Sequence, residues 1–231
     1  MEIIKRNLFR KLRSDNFQTG EQQEPMSQFK YQKMLGLMKD IANMPAGEVH
    51  LSNPLLNHRL KKIQDRERRS ENANIESIYL LRIIVSNVNS IMSYGIPLRG
   101  IIQLGQYIRT RGNKADYNKL DRWLKKLHIS RLAQLQGCIL IDFFGFESSE
   151  LPFVKSKESK TEKITFKSMA DGEAEAMLDL QLKQARMGVK LSGKAMRRNL
   201  RHSLRYMPYA PVETTSNFVI NFMRGLQEIE E

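Results

Sequence analysis

The chain has 231 residues, of which 41% are apolar and 27% charged, and a formal net charge of +13. That length suits one large domain or one domain with appendages, and that apolar share supplies a core and excludes a chain disordered throughout. Thirteen Gly and seven Pro argue against a fold of many short strands, and the single Cys138 excludes an internal disulfide.

In chain order, residues 1–13 read as a short amphipathic basic helix, with Ile4, Leu8 and Leu12 recurring every four residues among five cations. An ordinary first helix docked on the body is the preferred reading, and peripheral contact with an anionic membrane through 1–13 is kept as an alternative. Residues 14–25 are polar, end in Pro25 and read as a linker. Ser27 is expected to cap a helix to about Asn43, with Phe29, Met34, Met38 and Ile41 as its apolar face. Asn53-Pro54 signals the start of another, followed by Leu55, Leu56, Leu60 and Ile63. Beyond Lys61 this helix turns polar and mixed in sign, which predicts a solvated face.

Residues 75–93 form the strongest core-helix pattern, stopped by Gly95. Pro97 starts a helix over 97–110, in which Gly100 and Gly105 predict close helix packing. Asp116 caps 117–127 and Ser130 caps a helix ending before Gly145, the two forming an αα-hairpin. Residues 155–163, KSKESKTEK, contain no apolar residue and read as an exposed loop, with Ile164-Thr165-Phe166 as a short strand candidate. An acid-led helix to about Met187, a helix over 194–207 and a last helix from Ser216 complete the chain.

The expected fold is all-α, a helical bundle-like array of about seven to nine helices with a basic C-terminal helical segment. Its organisation reads as 1–25 basic N-terminal segment and linker, 26–150 helical bundle, 151–167 exposed charged loop, and 168–231 C-terminal segment. No segment reaches the roughly 18 consecutive apolar residues of a membrane span, and no apolar signal core follows the basic N-terminus. A cytoplasmic location is the expectation.

The sharpest functional signal is a stretch, 180–212, with no acid at all. It carries Lys183, Arg186, Lys190, Lys194, Arg197, Arg198, Arg201 and Arg205. At 100° per residue the eight fall within an arc of about 120°. Such a face meets an anion: a phosphate backbone, an acidic lipid or an acidic protein partner. Within 194–207 the stripe Met196, Leu200, Leu204 and Met207 is expected to pack inward and to turn four guanidinium groups outward, where each binds phosphate in a fork. Pairing of these arginines with the acids of 171–179 or 228–231 is the alternative. Lys119, Arg122, Lys125 and Lys126 form a second cationic face on 117–127.

Catalytic chemistry finds no motif. The four histidines are scattered and none forms a metal-ligand pair, so no metal, cofactor or catalytic residue is expected. Gly95 and Gly100 have the spacing of a phosphate loop but lack its Lys-Ser/Thr pair. Cys138, within an apolar run, reads as a buried small hydrophobe. The functional expectation is therefore a non-enzymatic basic helical protein that associates with nucleic acid or another anion, or else a structural or adaptor subunit with no nucleic-acid role. Oligomeric state is left open.

Overall fold

A computed structural model describes residues 2–170 and 193–230, the latter with side chains over 200–223. Among the described residues the fold is all-α, with ten helices and no strand. In chain order these are α1 (Glu2–Phe17), α2 (Gln28–Asn43), α3 (Pro54–Arg68), α4 (Ile75–Ser93), α5 (Leu98–Arg111), α6 (Tyr117–Lys126), α7 (Ser130–Phe144), α8 (161–170), α9 (Gly193–Tyr206) and α10 (Pro211–Glu230).

The central element is α4. Its Leu80, Leu81, Ile84, Val85, Val88 and Ile91 are fully buried, and α3, α5, α6, α7, α9 and α10 all pack on it. By length and composition alone this helix is long and apolar enough to cross a bilayer, but its apolar surface is covered by other helices, consistent with the expectation of no membrane span. The polar residues in its core face are matched. Asn87 Nδ2 donates to Gln136 Oε1 at 2.9 Å, and Gln136 Nε2 donates to the Ile84 carbonyl at 3.3 Å. The glycines expected to permit close packing on α5 do so: Gly100 lies against the Asn87 side chain, and a Cβ on Gly105 would stand 2.8 Å from Leu140 and Phe146.

The N-terminal helix is docked. Ile4, Leu8, Phe9 and Leu12 are buried, and Phe9 stacks on Phe143 of α7 with ring centroids 4.3 Å apart. The apolar residues that a membrane contact would use are thus inside the protein. The polar segment after α1 folds back on it: Asn7 and the Glu24 backbone exchange two hydrogen bonds of 2.8 Å, and Glu24 pairs with both Arg6 and Arg10.

Three local expectations change. Ser27 and Ser130 make no side-chain cap; Ser27 occupies the cap position of α2 without bonding, and Ser130 is already inside α7. Phe29 is 80% exposed, and α2 is held by Met34 and Leu37 instead. Residues 164–166 are helical, in α8, and Thr161, Ile164, Thr165 and Ser168 are buried. The lysine-rich stretch before α8 is pinned by ion pairs: Lys155 to Asp121, Lys157 to Asp142 and Glu158 to Arg131. Cys138 is buried, and burial pushes its thiol pKa up.

The last helix starts at Pro211, not Ser216. Proline at the first helical position loses no hydrogen bond, so it opens this helix rather than interrupting it. That start places Glu213 wholly inside the protein. Its carboxylate accepts the backbone N–H groups of Ser52 and Asn53, and thereby ties α10 to the entrance of α3.

Candidate anion-binding site

The site begins with how α3 and α6 are started. Asn53 Oδ1 accepts from the N–H groups of Leu55 and Leu56 at 3.0 Å, with Pro54 at the first helical position. Asp116 Oδ1 accepts from Lys119 N at 2.9 Å. Both caps satisfy N–H groups that a helix cannot bond internally. Each helix then buries one stripe: Leu56 and Leu60 on α3, and Leu120, Trp123 and Leu124 on α6.

Two side-chain contacts bridge these antiparallel helices, each of which packs on α4. At one end Lys119 Nζ pairs with Glu67 Oε1 at 2.6 Å; at the other Arg59 Nη1 reaches the Lys126 carbonyl at 3.4 Å. Between and beyond them lies an open cleft of about 470 Å3. Its walls are Arg59, Lys62 and Arg66 from α3 and Lys125, Lys126 and His128 from the end of α6, with Ile63 as the apolar contribution. The three α3 cations stand at i, i+3 and i+7, so they share one face, while Asp65 and Glu67 point elsewhere. No carboxylate lines the cleft.

The C-terminal end of α6 is a Schellman closure. Ile129 N donates to the Leu124 carbonyl and His128 N to the Lys125 carbonyl, both at 3.1 Å. This motif requires a left-handed residue just past the helix, and His128 occupies it with φ 54°. Glycine is the usual occupant, and a side chain there costs about 1 kcal/mol. The histidine is exposed, and its imidazole makes no hydrogen bond or ion pair among the described residues.

The cations expected from the sequence divide. Lys126 and Lys125 line the cleft, although Lys125 is also held by Asp121 at 2.7 Å, a contact that lowers the Asp121 pKa and raises that of Lys125. Arg122 is exposed on α6 beside the cleft, with its Nε on the Asn118 carbonyl. Lys119 is used internally: besides Glu67, it donates to the Asn72 carbonyl at 2.6 Å. Lys183, Arg186 and Lys190 lie outside the described residues; Lys194, Arg197 and Arg198 belong to α9, with their side chains outside them.

The leucines of the described half of α9 do not pack inward as expected, although Arg201 faces solvent as expected. Leu200 and Leu204 are 44% and 59% exposed, whereas Ser203 and Tyr206 are buried. The physical reason is Tyr206, a large ring at 0% exposure that outweighs two leucines as an anchor, with His202 edge-on to it at 5.0 Å. Arg205 turns inward with it: the residue is half-buried, its Nε and Nη1 are enclosed, and its guanidinium lies 6.0 Å from the Tyr206 ring. Arg201 remains exposed. The turn after α9 docks beside the cleft's end, where Arg131, three residues past His128, donates to the Pro208 carbonyl at 2.9 Å.

Arg59, Lys62, Arg66 and His128 were not expected as site residues. The i, i+3, i+7 spacing of the first three was readable, but their interleaved acids made the segment look like an ordinary solvated face. The chain matches no protein-family model, no curated protein and no solved structure.

Proposed function

We propose that this is a non-enzymatic nucleic-acid-associated protein that holds phosphate groups in the cleft between α3 and α6. The observation that carries the reading is the lining itself: five cationic side chains and one imidazole, from two helices locked antiparallel, with no carboxylate among them. Like charges are gathered at a cost in mutual repulsion, and an anion repays it. Arg122 and Arg201 are further exposed cations, and Arg197 and Arg198 add charge in α9.

Binding of mixed-sequence RNA or DNA tests this. Affinity should fall linearly with the logarithm of salt concentration, with a slope near −0.7 per contact on a single strand and −0.9 on a duplex. Absence of binding at low salt would contradict the reading. A second reading, an adaptor subunit of an assembly, draws on the exposed apolar side chains of α9 and α10, Leu200, Leu204, Val219, Phe222 and Met223. Light scattering over a concentration series tests it, and a strict monomer would count against self-association.

A further inference from the structure

The cleft constrains its ligand more closely than charge alone. We propose that it takes a single-stranded phosphodiester chain, reads the phosphates but not the bases, and uses His128 as one of its ligands. The inference rests on the nucleic-acid reading above and names the form of the ligand.

Three observations carry it. The first is shape. The cations lie along a cleft of about 470 Å3 between two adjacent helices. Arg59 and Arg66, seven residues apart on α3, are separated by about 10 Å along the axis. A flexible single strand can bend its phosphates into such a trough. A duplex carries its phosphates on a rigid convex surface and reaches only the rim.

The second is the chemistry of the walls. Strong stacking draws on aromatic rings, and the edges of adenine, cytosine and uracil are read by amides or acceptors, whereas donors alone offer only a fork onto guanine besides phosphate. The cleft has no Phe, Tyr or Trp, and no Asn, Gln, Asp or Glu. Its arginines and lysines are donors only, suited to phosphate oxygens.

The third is His128. The backbone there favours glycine, and the fold makes no use of the imidazole: the side chain is exposed and makes no hydrogen bond or ion pair among the described residues. What the imidazole adds is a sixth donor in the wall of the cleft.

The test uses the full chain and labelled oligonucleotides of equal length: oligo-U, oligo-A, an abasic phosphodiester chain and a duplex, with inorganic polyphosphate as competitor. The three single strands should bind within about threefold of one another, the duplex about tenfold more weakly, and polyphosphate should displace the strands. H128G should melt at or above the wild-type temperature, since glycine relieves the left-handed strain. It should bind oligo-U severalfold more weakly than the wild type. Preference for the duplex, tenfold discrimination between oligo-U and the abasic chain, or wild-type binding by H128G would overturn this inference while leaving the nucleic-acid reading standing. Absence of binding to all of them at low salt would instead remove that reading itself.

Discussion

Glu213 and Arg205 show how a charged residue near the C-terminal helices can be structural rather than functional. Glu213 is wholly buried, and its carboxylate serves two backbone N–H groups at the entrance of α3. Glu213→Gln keeps the shape but offers one acceptor oxygen instead of two and removes the charge. It should cost about 1–3 kcal/mol by thermal or urea unfolding; an unchanged midpoint would show that the contact contributes nothing. Arg205 and Arg201 make a matched pair on one helix. Arg201 is exposed and Arg205 half-buried against Tyr206. Arg201→Glu should leave the unfolding free energy within about 0.5 kcal/mol of wild type, whereas Arg205→Glu forces a carboxylate into the position of enclosed nitrogens and should cost at least about 2 kcal/mol. Equal effects would mean that the two arginines share one environment.

At the scale of elements, ion pairs hold α1 and α6 in place. Glu21 and Glu24 close the segment after α1 onto Arg13, Arg6 and Arg10. Hydrogen bonds from Arg13 and from Arg6 hold these carboxyls below their ordinary value of 4.5. A depressed folded pKa gives stability that is fully present above 4.5 and is lost as pH falls through the lower folded values. Hydrogen-exchange protection of α1 should therefore decline below pH 4.5, and E21Q/E24Q should weaken that dependence; identical acid profiles would contradict this role. The Lys119–Glu67 pair locks α6 to α3. Lys119→Met leaves Glu67, 8% exposed, with only the Asn74 N–H among these partners. The expected cost is on the order of 2 kcal/mol, below the roughly 3–5 of a fully buried pair because Lys119 keeps some access to water. A variant that melts with the wild type would show that packing alone sets the α3–α6 cleft.

Across the whole molecule, what could be read from the chain was what local chemistry decides. The ends of α3, α4 and α6 follow from Asn53-Pro54, the Ile75-to-Ser93 apolar pattern and Asp116. α8 was missed because KSKESKTEK offers no apolar period; its helix is anchored by Thr161, Thr165 and Ser168 as well as Ile164. The orientation of α9 was misread because two leucines count for more than one tyrosine in a periodic pattern, and for less in this core. The cleft was half legible: Lys125 and Lys126 were expected, but that α3 and α6 would both pack on α4 with Lys119 and Glu67 bridging them across 52 residues of chain is a tertiary fact.

The central claim is that phosphate is held between α3 and α6 rather than by the C-terminal arginines alone. Its most direct test is the salt dependence of oligonucleotide binding for three proteins: wild type, R59E/K62E/R66E and R197E/R198E/R201E. The account predicts that the α3 triple variant still folds, since its targets are exposed and the Arg59 contact with the Lys126 carbonyl is long and solvent-exposed, and loses about 2–3 from the magnitude of the logarithmic salt slope, about one per lost contact. An α3 variant with the wild-type slope, beside an α9 variant that no longer binds, would contradict it and return the site to the acid-free C-terminal stretch.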